Sequence, residues 1–228
     1  MPIRVDNIPK ELILTNQWVC WREIRIKDGV AKVPINPYNY SYAKVNDCNS
    51  WGNFHVALAA FARKKADGIG FVFSDDDPFI GVDLDGCFAE NGRMYPEANR
   101  ILNVLNSYTE ISPSREGIHI IVKSPVLSLK KELPPMVTKG FEIYPRKRFF
   151  TVTSLVLPGS EPTIRERHFE ISRYLREHDR MIKKNNPIEK LIPKNTEDCP
   201  LCFEYAKTGV HARACARSPE YGKDEQIA

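Results

Sequence analysis

The stretch Phe79-Ile80-Gly81-Val82-Asp83-Leu84-Asp85-Gly86 constrains the fold most, because it is apolar enough for a buried strand yet carries two acids. Successive side chains of a strand alternate between faces. Ile80, Val82 and Leu84 are therefore expected toward a core, with Gly81, Asp83 and Asp85 sharing the opposite face. Ionised carboxylates beside a core are costly unless they are paired or coordinate a metal. A spacing of two lets both acids reach one divalent-ion site, and Gly81, lacking a side chain, lets a ligand approach closely. Two acids solvated at a strand end are the alternative.

Two further segments each offer one polar reactive group from an apolar strand. Residues 108 to 123 predict a strand, a Ser/Pro/Gly turn and a second strand carrying His119. Residues 140 to 153 predict a hairpin in which Glu142 alternates with Phe141 and Ile143. Taken alone, His119 fits a satisfied core histidine; the preceding turn and the two acidic strands favour a ligand-binding one.

Together these segments resemble the catalytic domain of the archaeo-eukaryotic primase superfamily, in its phage and plasmid primase-polymerase branch. Asp83-Leu84-Asp85 is similar to its first motif, Ser112-Pro113-Ser114 through Gly117 and His119 to its second, and Glu142 to its third, in that order. The similarity extends upstream to Gln17-Trp18-Val19-Cys20-Trp21, Lys32-Val33-Pro34, Trp51 and Gly68-Ile69-Gly70-Phe71-Val72, and downstream to Arg148 through Thr153. It covers roughly residues 12 to 155.

The resemblance implies that Asp83, Asp85 and Glu142 hold two Mg²⁺ or Mn²⁺ ions and that His119 contacts the triphosphate of an incoming nucleotide. Ser112, Ser114, Arg115, Gly117 and Arg148 join His119 as nucleotide-binding candidates. Lys32, Arg146 and Lys147 are candidates for template or nucleotide phosphate. Two positions depart from the pattern. Many relatives have Gly where Arg115 stands, and many superfamily members have Asp where Glu142 stands. Arg115 either obstructs a phosphate approaching the backbone or supplies it a cation, while Glu142 remains a competent carboxylate ligand.

The residues themselves suit that chemistry. Oxygen-rich, thiolate-free sites favour Mg²⁺ and Mn²⁺, and two such ions can activate a 3′-hydroxyl while stabilising a pyrophosphate leaving group. The net charge is only +4, but it is uneven. Between Lys123 and Arg148 seven Lys/Arg face two acids, and between Arg165 and Lys194 nine face five. Phosphate backbones reward such clustering through counterion release; the second run, with its interleaved acids, equally fits a solvated helix face. Trp18 and Trp51 are assigned to packing, and the Tyr38 to Tyr42 loop is kept as a surface for stacking on bases.

The predicted architecture is α+β with a mixed or antiparallel sheet and flanking helices, which the resemblance implies to be an RRM-like palm. Strands are expected at Gln17 to Ile26, Val30 to Val33, Gly68 to Phe73 and Phe79 to Leu84, with an Asp28-Gly29 turn. Ser50 is expected to cap a helix reaching Ala66, and a second helix is expected from Glu97 to Ser107. Asp75-Asp76-Asp77-Pro78 reads as a solvated turn. Helical periodicity runs from Ile164 to Lys184 through Ile164, His168, Ile171 and Leu175. Residues 1–160 thus form the catalytic domain, 161–195 a helical extension and 196–228 a tail.

That tail carries Cys199, Cys202, His211 and Cys215 in a C-x2-C-x8-H-x3-C arrangement, a candidate structural Zn²⁺ site or a fortuitous cluster. Cys20, Cys48 and Cys87 are expected to be buried or unreactive. The longest apolar stretch, Phe54 to Ala62, is far shorter than the roughly 20 residues a bilayer needs, and the N-terminus has no apolar signal region. A cytoplasmic protein with no membrane partner is expected.

The function expected is template-dependent DNA primase or polymerase activity for a mobile element, with single-stranded DNA and (d)NTPs as partners. No helicase-type phosphate loop occurs, so a separate helicase or initiator is the expected companion. Two alternatives stand beside it. One is a DxD sugar-nucleotide transferase; the other is a non-catalytic single-strand or origin-binding module.

Overall fold

The computed structural model describes residues 2–27 and 29–185. Cys199, Cys202, His211 and Cys215 lie outside the described residues, as does Asp28. Residues 1–168 form one compact unit, and a second begins at Phe169.

Among the described residues, nine strands build two antiparallel sheets where one sheet was expected. The first joins β1 (Trp18–Ile26), β2 (Gly29–Ile35), β3 (Gly68–Phe73) and β9 (Arg148–Val152) in the order β2-β1-β3-β9. The second joins β4 (Phe79–Leu84), β5 (Thr109–Ile111), β6 (Ile118–Lys123), β7 (Met136–Thr138) and β8 (Phe141–Tyr144) in the order β5-β6-β4-β8-β7. The helices are α1 (Lys10–Ile13), α2 (Phe54–Ala62), α3 (Pro96–Leu105), α4 (Leu127–Glu132) and α5 (His168–Asn185). Among the described residues no helix is long and apolar enough to cross a membrane.

Residues 140 to 153 are not the predicted hairpin. β8 pairs with β4 in the second sheet and β9 pairs with β3 in the first. Pro145 lacks a backbone donor, Lys147 takes a left-handed φ of 56°, and its N–H reaches the Phe73 carbonyl oxygen at 2.8 Å. The chain therefore changes sheets within three residues.

A large core cluster gathers Trp18, Phe71, Phe73 and Phe150 of the first sheet, Phe54 and Ala57 of α2, and Phe79 and Ile121 of the second sheet. On the other face of β4, Ile80, Val82 and Leu84 align with Val122, Ile120 and Ile118 of β6. All six are buried. Both faces of β4 are thus covered, not one. A Cβ on Gly81 would stand 2.5 Å from the Phe73 ring and 2.6 Å from the Phe150 ring, so Gly81 admits two aromatic side chains, not a ligand.

Several boundaries move for local reasons. Asn53 caps α2, its side chain accepting from the Val56 N–H, while Ser50 instead closes a 3-10 turn at Cys48–Ser50. α5 begins at His168, leaving Ile164 ahead of the helix. Gly29 pairs with Ile26 as a strand residue. Cys20 and Cys87 are buried, but Cys48 is exposed.

Asp77 departs furthest from expectation. It is 3% exposed, not solvated, and its carboxylate accepts from Gln17 Nε2 at 2.7 Å, from the Ser74 and Phe79 N–H groups at 2.6 and 2.7 Å, and from Lys130 Nζ at 2.8 Å. Three neutral donors and one ammonium satisfy a charge that burial would otherwise make prohibitive.

Candidate active site

Strand register assembles the site. Asp83 on β4 lies opposite His119 on β6 and opposite Glu142 on β8, and His119 lies opposite Glu110 on β5. Residues directly opposite one another project from the same face. Glu110, His119, Asp83 and Glu142 therefore form one row across four strands. Asp85, two residues beyond Asp83, continues that face past the strand end and is exposed.

The row passes from buried to open. Glu110 is 1% and His119 7% exposed; Asp83 and Glu142 are partly exposed. Asp83 Oδ1 is buried without a hydrogen-bond partner, and His119 Nε2 stands 3.8 Å from it. Burial raises the Asp83 carboxyl to about 6 from an ordinary 3.8, with Asp85 and Glu142 adding to the rise and His119 and Arg148 opposing it. Burial alone would lower the His119 pKa, but Glu110, Asp83 and the Thr151 carbonyl outweigh it and the net direction is upward.

His119 is held on two sides. Its Nδ1 lies 3.1 Å from the Thr151 carbonyl oxygen, an atom that can only accept, so Nδ1 carries a proton. Its ring stacks on Phe150 with centroids 4.7 Å apart. Both partners come from β9, delivered here by the change of sheet after Tyr144. The same crossover sets the Arg148 guanidinium 4.6 Å from the Tyr144 ring, and Tyr144 Oη donates to Glu142 Oε2 at 2.7 Å. Burial first, then this bond to Glu142, push the Tyr144 hydroxyl up to about 12, so it remains a donor.

The turn from Ser112 to Gly117 packs against the acids. A Cβ on Gly117 would meet the Leu84 carbonyl oxygen at 2.5 Å and Asp85 Oδ1 at 3.3 Å, which is why no larger residue fits. Ser112 Oγ and Ser114 Oγ are 3.0 Å apart, and the Ser112 N–H reaches the Gly117 carbonyl oxygen at 2.9 Å. Arg115 adopts a left-handed φ of 66°, the region glycine occupies at least cost. That conformation accounts physically for Gly at this position in the resembling family.

A cavity of about 350 Å³ adjoins the row, lined by Asp83, His119, Arg148, Phe149, Phe150 and Thr151, and by Glu23, Val30 and Lys32 of the β1–β2 hairpin. Lys32 also lies 5.9 Å from the Trp21 ring. A larger cavity, about 820 Å³, carries Arg4, Phe88, Arg115 and Leu155 but none of the acids of the row. The perturbed groups adjoin the smaller one.

Of the basic candidates, Lys32 and Arg148 reach this cavity, whereas Arg146 and Lys147 do not line it. Arg146 faces Asp75 at 3.4 Å and donates to the Lys131 carbonyl oxygen at 2.9 Å; Lys147 is a turn residue. The basic run from Lys123 to Arg148 is likewise divided, with Lys123 paired to Glu11 and Lys130 buried on Asp77. Tyr38 and Tyr42 are exposed, and Tyr40 packs on the core.

Sequence reasoning missed Glu110, Tyr144, Thr151 and Glu23. Glu110 was within reach, because a hairpin centred on Ser114-Arg115 pairs it with His119. Tyr144 and Thr151 depend on the change of sheet, which no local pattern announces; the β1–β2 hairpin was expected, but its place beside the row, which brings in Glu23, was not. Among the described residues, no three His, Cys, Asp or Glu side chains converge to enclose a metal by themselves.

No protein-family model matches the chain. Over 175 residues, 76% of its length, it is 35% identical to a protein of Nitratiruptor phage NrS-1 named DNA primase-polymerase. The match covers 24% of that relative, so the chain spans about a quarter of the relative's length. That identity over three quarters of its residues supports assigning the chain to the primase-polymerase family.

Proposed function

We propose that residues 1–160 carry a template-dependent nucleotidyltransferase, a DNA primase-polymerase unit with an RRM-like palm, joining nucleotides on a single-stranded DNA template. The observation that carries this reading is Asp83 Oδ1, a buried carboxylate oxygen without a hydrogen-bond partner, standing in one row with His119 and Glu142 beside a cavity that holds Lys32 and Arg148. The named relative supports the same class of activity.

Asp83, Asp85 and Glu142 are the residues that would hold divalent ions. An orphaned carboxylate oxygen with a raised pKa is what a group awaiting a cation looks like. Mg²⁺ binds through one or two carboxylates and completes its shell with substrate phosphates and water, and Asp83, Asp85 and Glu142 offer such carboxylates. Bound there, two ions would supply Lewis-acid activation of a 3′-hydroxyl and neutralise the pyrophosphate that departs from the α-phosphorus.

The chain's own residues divide the remaining work. His119, with Nδ1 occupied by Thr151, turns Nε2 toward Asp83 and the cavity. As an imidazolium it donates from Nε2 to a triphosphate oxygen. Lys32 and Arg148 offset phosphate charge from two sides of the cavity. Tyr144 fixes one oxygen of Glu142, and the Ser112–Gly117 turn walls the site beside Asp85, with Arg115 adding a cation near it. A helicase or initiator acts as a separate partner.

Incubating the protein with Mn²⁺, mixed nucleotides and single-stranded DNA, with and without a primer, tests the reading. Template-directed products support it, and products without primer add chain initiation. DNA binding without incorporation would instead favour the non-catalytic module, and sugar transfer the DxD transferase.

A further inference from the structure

We propose that Glu110 is a positioning residue that sets the His119 imidazole against the nucleotide site, a role that rests on the reading of His119 as the triphosphate contact. Glu110 is 1% exposed. Its Oε1 accepts from the Thr153 N–H at 3.0 Å and its Oε2 from the Ser154 N–H at 3.0 Å and Tyr108 Oη at 3.1 Å. His119 Nδ1 lies 3.6 Å from Oε1.

A buried carboxylate whose hydrogen bonds all come from neutral donors, Thr153 N–H, Ser154 N–H and Tyr108 Oη, is an expensive way to close a loop. An amide or hydroxyl would serve the same N–H groups at less cost. What the carboxylate adds is a negative charge 3.6 Å from His119 Nδ1, directly across the strand pair.

Glu110 acts on the ring by two routes. Directly, its Oε1 flanks the Nδ1 edge. Indirectly, it anchors Thr153 and Ser154, the two residues that follow β9, and Ser154 takes a left-handed φ of 56°. β9 in turn supplies the Thr151 carbonyl to the ring edge and Phe150 to the ring face. Removing the carboxylate loosens both contacts together, and with them the direction in which Nε2 points.

A double-mutant cycle separates this role from simple support of the fold. Glu110→Gln should raise the nucleotide KM about fivefold to fiftyfold, a positioning-sized loss, with kcat changed much less. His119→Ala should raise it about tenfold or more. In the His119→Ala background, Glu110→Gln should then add less than about twofold, because coupled residues are not additive. Equal losses in both backgrounds, or an unchanged KM in folded Glu110→Gln, would overturn the role of Glu110 alone. An unchanged KM in folded His119→Ala would overturn the reading of His119 beneath it.

Should Glu110→Gln not fold, Glu110→Asp keeps the charge while withdrawing it by one methylene, and the same cycle applies. Tyr108→Phe is the control. It removes a donor from Glu110 without touching His119, and should lower stability while leaving the nucleotide KM in place. A readout free of turnover comes from NMR, since Phe150 stacked at 4.7 Å shifts the His119 ring protons. Glu110→Gln should move those resonances in nucleotide-free protein, and identical shifts would count against the proposal.

Discussion

Asp77 and Asp83 stand six residues apart on the two ends of one strand, both largely buried, and they are treated in opposite ways. Asp77 is saturated by Lys130, Gln17 and two backbone N–H groups. Asp83 keeps one oxygen buried without a hydrogen bond and has acids as neighbours. Folding alone explains the first arrangement, since every lone pair that burial strips of water is given a donor. It does not explain the second. The proposed reading accounts for it, since a divalent ion bound at the site would complete the oxygen that the fold leaves without a donor.

The largest expected effect breaks the comparison at Asp83. Asp83→Asn should reduce nucleotide incorporation by about a thousandfold or more, since on the proposed reading it removes a charged metal ligand and forfeits several kcal/mol of transition-state stabilisation. Primer-extension rates in Mg²⁺ check this, with circular dichroism to confirm the fold. Extension near the wild-type rate would return Asp83 to the same structural class as Asp77.

Breaking the pair at Asp77 should act on the fold instead. Lys130→Met leaves a buried carboxylate without its cation, a loss of about 3–5 kcal/mol, read from urea unfolding. Incorporation per folded molecule should stay close to wild type. If activity falls while stability does not, the Asp77 turn is part of the site and the contrast between the two acids fails.

The contrast also marks where the sequence was readable. Strand alternation identified β4 and its acids, and the Ser/Pro/Gly turn identified β5–β6; the pairing of β4 with β6 and with β8, which completes the row, was not readable from local pattern. Asp77 was not readable, because its burial depends on Lys130, 53 residues away, and three adjacent acids before a proline look like any solvated turn. The role of Gly81 was misjudged for a related reason. Local pattern shows a missing side chain, but only the packing of β9 shows that Phe73 and Phe150 occupy the space. The sheet change at Pro145 lay equally beyond local pattern, since two apolar strands joined by a short turn ordinarily pair with each other.

Stability against pH sharpens the comparison further. Asp83 titrates near 6 in the folded protein and near 3.8 when unfolded, so between those values the folded state holds more protons. Stability is therefore fully present below 3.8, falls as pH rises toward about 6, and stays reduced above it. At about 1.4 kcal/mol per pH unit, the loss at neutral pH is about 2–3 kcal/mol. Asp83→Asn should recover that amount in metal-free protein at pH 7.5 and none of it at pH 3.5. Thermal melts of both proteins with a chelator present check this, and a destabilised variant at pH 7.5 would show that Asp83 is satisfied after all. The sign is opposite to that expected at Lys130 and Asp77, where removing a charge weakens the fold.

The smallest effect concerns the turns beside the two acids. The Asp77 turn holds its chain with side-chain hydrogen bonds and no left-handed residue. The turn beside Asp85 holds Arg115 at a φ of 66°. A left-handed conformation costs a non-glycine residue roughly 1–2 kcal/mol, while glycine returns roughly 0.5–1 kcal/mol of that as lost chain entropy. Arg115→Gly should therefore stabilise the protein by at most about 1.5 kcal/mol, a rise in Tm of no more than about 3–6 °C for a domain of this size. Melting curves at equal protein concentration resolve such a shift. A gain in stability accompanied by a higher nucleotide KM would mean that the strained arginine serves the site, which extends the contrast from the two carboxylates to the turns beside them. A gain with unchanged KM would mean that glycine is simply the better residue for this backbone, and that Arg115 contributes nothing to nucleotide binding.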